Sequence, residues 1–165
     1  HWDTLPARFA LVELNNLHDT ALEFEPIHRV VFGVEPQQLL AAMEAYYPGL
    51  IHGEGEGHAL PYVWGEHQGT ITVPNPKAQL PVGTLQRFLD DYLQNNPGRV
   101  DYIHGAQVAR DLARRKDTIA FLLPAMGKEE LFPTVIHDGV LPRKTFSMGR
   151  AQDKRFYLEA RRIRD

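Results

Sequence analysis

The chain has 165 residues, 43% hydrophobic and 24% charged, which is ordinary usage for one globular domain and not that of a disordered chain. A formal charge of −3 and a pI near 6.2 argue against any general attraction to nucleic acid or an acidic membrane. With no cysteine, the sequence excludes disulfides, zinc thiolates and thiol nucleophiles, and no apolar run reaches the ~20 residues of a membrane-spanning helix.

Residues 8–14 (RFALVEL) alternate like a strand, and 15–20 follow as a polar turn. Residues 25–33 (EPIHRVVFG) read as a second extended segment built on the β-formers Val30, Val31 and Phe32. Residues 37–47 are predicted helical because Leu39, Leu40, Met43 and Tyr47 share a face, with Pro48-Gly49 ending the helix. The run 52–58 (HGEGEGH) has three glycines and no apolar side chain, so it is read as a mobile loop or hairpin tip. Residues 60–67 and 70–73 are expected to pair around Gln68-Gly69, and Pro74, Pro76 and Pro81 to mark a connector. The clearest helix is 84–94, where Leu85, Phe88, Leu89, Tyr92 and Leu93 keep the helical period until Asn95-Asn96-Pro97-Gly98.

Residues 100–103 are read as a short strand and 106–115 as a basic amphipathic helix with Val108 and Leu112 inward. The apolar run 118–123 (TIAFLL) suits a strand covered on both faces. A short helix at 128–132 and a closing strand at 155–161 complete the chain. Hairpins early and strand–helix alternation late predict an α+β fold: a single domain over 1–165, with a mixed, largely antiparallel sheet and about four helices packed on it. No glycine-rich strand-to-helix turn supports a dinucleotide fold.

Two segments carry candidate chemistry. In 23–29 (EFEPIHR), Pro26 favours an extended backbone that would present His28, a titratable group, and Arg29, a planar cation. The structural alternative pairs Arg29 with Glu23 or Glu25. In 137–149, Arg143 and Lys144 are followed by the hydroxyls of Thr145 and Ser147, between glycines, as an anion cradle would be. Its structural alternative is a solvated turn with Asp138-Gly139 as the corner. Walker spacing is missing, so this is not a phosphate-binding loop of that kind. His52, His58, His67 and His104 are read as exposed side chains, and no metal is expected. Ser147 is the chain's one serine and lacks a nucleophile elbow.

The segments FALVELNNLHD, LEFEPIHRVVFG, VDYIHG, FLLPAMGKEELF and HDGVLPRKTFSMG, ending in KRFYLEARRI, occur in one order across nearly the whole chain. In that order they resemble the C-terminal region of domain of unknown function 1015, a family of bacterial and archaeal proteins. Pro26-Ile27-His28-Arg29 and Leu141-Pro142-Arg143-Lys144-Thr145 match two of its segments. The resemblance implies a C-terminal fragment of a longer protein, because the family's Asp-Gly-Asn/His-His-type motif precedes this region and no such motif occurs here; that the chain starts at His1 fits the same expectation. It further implies a loose likeness to ParB/sulfiredoxin-like phosphotransferases, free-serine kinases among them, and so phosphorylated-metabolite chemistry related to serine.

The expected function is an anion site, for phosphate or carboxylate, within a larger cytoplasmic enzyme acting on a small metabolite. Arg29, Arg143, Lys144, Thr145 and Ser147 would bind the substrate and His28 would act as acid or base. The isolated piece is expected to be inactive, and no motif specifies a cofactor. The alternative is a non-catalytic binding or assembly domain. The partners these readings admit are a small anionic metabolite or a second copy in a homodimer, and neither nucleic acid nor membrane.

Overall fold

In a computed structural model the chain is described at Leu14 and over residues 16–149. The strands expected at 8–14 and 155–161 lie outside those residues, apart from Leu14. Strand β1 (Phe24–Phe32) leads into α1 (Pro36–Tyr46), then β2 (Ile51–His52), β3 (His58–Trp64) and β4 (His67–Val73). Helix α2 (Pro81–Asn95), β5 (Arg99–His104), α3 (Ala106–Ala113) and β6 (Thr118–Phe121) follow. A 3-10 turn (Lys128–Glu130), α4 (Leu131–Asp138) and β7 (Phe146–Met148) complete the described part. The sheet order is β2-β4-β3-β6-β1-β5, with β7 paired to the start of β1. Every described pairing is antiparallel. The α+β expectation holds, at the antiparallel end of its range.

Alternation along β1 divides the core. Val31 packs with Leu39 and Met43 of α1 and Leu85, Phe88 and Leu89 of α2, whereas Val30 packs with Ala109 and Ala113 of α3. The sheet is therefore sandwiched, with α1 and α2 on one face and α3 on the other. Strand β6 lies between β1 and β3 and is buried along its whole length, which explains its unbroken apolar run.

Both long helices start earlier than periodicity suggests, each at a proline. Pro36 and Pro81 begin α1 and α2, where the first-turn N–H that proline lacks is not needed. Pro81 thus opens a helix and is not part of a connector. Glu35 caps α1 by accepting from Gln38 N at 2.7 Å. The inner face of α3 is Ala109, Leu112 and Ala113, while Val108 is 52% exposed. The expected inward position of Leu112 holds and that of Val108 does not, because the two alanines that complete the inner face carry a weak apolar signal.

The β3–β4 turn sits at Gly65-Glu66, with Trp64 opposite His67, three residues before the expected Gln68-Gly69. Helix α4 extends beyond the short helix expected at 128–132, runs through Asp138 and ends at Gly139 (φ +80°), the second residue of the expected Asp138-Gly139 corner. The glycine-rich run after β2 is a short crossover from one neighbour of β4 to the other. Gly53 donates to Thr70 O at 2.8 Å and its carbonyl accepts from Thr72 Oγ1 at 2.7 Å. Among the described residues no helix is long and apolar enough to cross a membrane.

Candidate functional site

Pairing of β7 with β1 sets Glu25 opposite Ser147 and Pro26 opposite Phe146, with the rings of Phe24 and Phe146 stacked at 4.1 Å. This register brings 24–29 and 143–148 together, although about 115 residues separate them. Arg29 lies at the centre and is fully buried. Its Nη1 donates to Ile27 O and, at 3.0 Å, to Lys144 O. Its Nη2 donates to Arg143 O at 3.1 Å, and Nε to Gln86 Oε1 at 3.3 Å. Four of the five guanidinium N–H bonds are thus directed at protein acceptors. Lys144 takes a left-handed backbone (φ +54°), in a turn whose two successive carbonyls meet the same guanidinium.

Burial lowers the Arg29 pKa to about 10, opposed by Tyr102 and Asp90, so the cation stays charged at neutral pH. Gln86 connects it to Asp90 by donating to Oδ1 at 2.8 Å. The ion pairs with Glu23 or Glu25 that offered an alternative for Arg29 are not what binds it; Glu25 instead meets Nε2 of His104 in a close contact.

Tyr102 is the cross-strand partner of Arg29. Three cations gather on its ring: Arg29 at 5.1 Å, Lys144 at 5.4 Å and Arg143 at 5.5 Å from the centroid. Its hydroxyl is buried with no hydrogen-bond partner among the described residues. Arg143 and Lys144 are exposed, and neither makes an ion pair among the described residues. The Thr145 hydroxyl donates to Pro142 O at 2.6 Å, closing the turn, and Ser147 is buried in β7. Arg143 also lines a pocket of about 170 Å³ with Gln86, Arg87, Asp90, Asp138 and Pro142.

His28 faces the other side of β1, towards α3, and is 4% exposed with Nδ1 lacking a partner among the described residues. It shares no surface with Arg143. Desolvation lowers its pKa, helped by Arg29, His104 and Arg110. The prediction that His58 and His104 are merely exposed is corrected. Both are half-buried, and His58 Nδ1 forms a 2.8 Å hydrogen bond with the Thr84 hydroxyl. Desolvation lowers the His58 pKa as well, against the raising influence of the Gln79 backbone and Asp138. The His28 and His58 imidazoles sit below the ordinary 6.5, so the unfolded chain binds protons first as pH falls. Stability present above that value is therefore lost progressively below it. The melting temperature is expected to drop between about pH 7 and pH 5, and His28→Leu to flatten that drop; an unchanged slope in the variant would contradict it.

Sequence reasoning missed Tyr102, Gln86 and Arg87. Tyr102 left one weak signal, a lone aromatic on a short strand, and the polar Gln86 and Asp90 at helical spacing left another. Nothing in the sequence ties either to Arg29.

The family model for proteins of unknown function named DUF1015 matches residues 1–117. The chain belongs to that family. The match includes the Pro26–Arg29 segment and Tyr102, and ends before the Arg143 turn. Among curated proteins none matches this chain. Two solved structures share the fold of this DUF1015 protein. One is a free serine kinase mutant in complex with AMP, at 17% identity and a TM-score of 0.61, with 82% of this chain and 57% of that one covered. The other is a conserved hypothetical protein from Pyrococcus furiosus, at 18% identity and a TM-score of 0.61, with 83% of this chain and 60% of that one covered. The present chain thus spans about three-fifths of each.

Proposed function

We propose that this DUF1015 chain supplies the anion site of a larger cytoplasmic enzyme that carries out phosphoryl chemistry on a small, amino-bearing metabolite. The observation that carries the reading is the buried Tyr102 hydroxyl, partnerless among the described residues, under three cations that no described carboxylate pairs. Such a cluster offers donors and lacks an acceptor, which is what a phosphate or carboxylate provides. Arg143 and Lys144 hold the anion electrostatically. Arg29 positions them through their carbonyls, and Thr145 and Ser147 shape the turn. His28, on the opposite face, takes no part in holding it.

Asp90 and Asp138 in the Arg143 pocket give an ammonium group its counterpart, so a zwitterion such as a phosphorylated amino acid fits both signs of charge. The fold-level likeness to a free serine kinase supports the same chemistry. Preorganised cations are the usual protein contribution to phosphoryl transfer.

Calorimetry with phosphoserine tests the reading. Charge-assisted hydrogen bonds contribute about 1.5–3 kcal/mol each, so the Arg143→Ala/Lys144→Ala double variant is expected to weaken binding by about 10-fold or more. Tyr102→Phe is expected to weaken it while leaving stability unchanged or slightly raised, since a hydroxyl without a partner is removed. Absence of heat with the parent chain, or equal affinity in the double variant, would defeat the proposal.

A second reading is an assembly domain. Helix α4 leaves Phe132 64% and Ile136 78% exposed, followed by Val140 at 95%, an apolar face of the kind interfaces use. Sedimentation showing a monomer at all concentrations would remove the homodimer version of it.

A further inference from the structure

Beside the Arg143 pocket lies a larger one of about 390 Å³, which falls within the roughly 300–1,000 Å³ range of small-molecule sites. Tyr46 and Tyr47 from the end of α1, Pro74 and Lys77 from the β4–α2 connection, and Thr84 and Arg87 from α2 line it. Ala78 and Arg87 line both pockets, so the two adjoin.

The two ends differ chemically. The Arg143 end includes Asp90 and Asp138, whereas the larger end has Lys77 and Arg87 and no carboxylate in its lining. Neither cation makes an ion pair among the described residues. The aromatic wall is held in place. Tyr47 donates its hydroxyl to Thr84 O at 2.8 Å, and desolvation pushes its pKa up to about 12, so it remains a donor. Tyr46 packs edge-on against Tyr47 at 4.8 Å and Phe88 at 5.5 Å, yet stays 42% exposed. A fixed, accessible ring beside unpaired cations is the arrangement that receives a planar ring bearing an anionic group.

We infer that this pocket is a second subsite, taking the base of a nucleoside phosphate against Tyr46 while Lys77 and Arg87 hold its phosphate towards Arg143. The inference rests on the anion reading, because Arg87 is shared between the two ends. It adds a ring-binding requirement that the Arg143 end alone does not impose.

The test is calorimetry of the full chain with AMP, adenosine and inorganic phosphate, beside the phosphoserine titration. AMP is expected to bind about tenfold or more tightly than either adenosine or phosphate, and Tyr46→Ala to remove about tenfold of AMP affinity while sparing phosphoserine. Tyr46→Phe keeps the ring and is expected to retain AMP binding, which separates a lost platform from a damaged fold. Phosphoserine binding together with AMP no tighter than phosphate, or AMP affinity unchanged in Tyr46→Ala, overturns the subsite and leaves the anion site standing. Silence from AMP and phosphoserine alike overturns both.

Discussion

Replacing Arg29 by methionine is expected to destabilise this domain by about 3–5 kcal/mol, more than any surface substitution in the chain would. The length and volume of the side chain are roughly kept, so the loss comes from four hydrogen bonds and not from a large cavity. Buried acceptors at Ile27 and Gln86, and partly buried ones at Arg143 and Lys144, are left without their donor, and each buried group left unsatisfied costs about 1–3 kcal/mol before relaxation. With about 2–4 °C per kcal/mol for a chain of this size, the melting temperature falls by about 10 °C. Arg29→Lys keeps the charge but cannot reach several acceptors as a planar fork does, so it should recover only part of the loss. Urea titration of the three proteins decides the matter. A loss below about 1 kcal/mol in Arg29→Met would mean that the 143–145 turn is held by something other than this guanidinium.

The second large effect is expected at Gly57. Its φ is +124°, and a Cβ built there would overlap the carbonyl of Val73 and the backbone of Pro74. Gly57→Ala therefore combines strain with a backbone collision, and about 2–4 kcal/mol of destabilisation is expected. Gly53 makes the natural control. Its φ is +117° but a Cβ would meet nothing within 4 Å, so Gly53→Ala carries strain alone, about 1–2 kcal/mol. Chemical denaturation of the two variants side by side isolates the collision. Equal losses would show that the crossover above β4 can shift and that close packing is not required there.

A great deal of the architecture is legible from local sequence. Phe88 and Leu89 announce α2, the TIAFLL run announces the buried strand β6, and the extended pattern around Val30 and Val31 announces β1. These signals are strong because each element buries a face whose spacing the sequence has to respect. The errors fall where the local signal is weak or serves two purposes. Pro81 reads as part of a connector yet starts a helix, small Ala109 and Ala113 join Leu112 on the inner face of α3, and Gly65 turns the hairpin in place of Gly69.

Composition and motif were enough to direct attention to Arg29, Arg143 and Lys144, because charged residues between glycines and prolines stand out in any sequence. What each of them touches is decided elsewhere, by strand register. Pairing of β1 with β5 put Tyr102 across from Arg29, and pairing of β1 with β7 carried the 143–145 carbonyls to the guanidinium. Alternation along β1 turned His28 away to the opposite face. A sequence records which side chains carry charge, but whether that charge is buried against carbonyls or left open to a ligand depends on chain segments more than a hundred residues apart, and only tertiary packing brings those together.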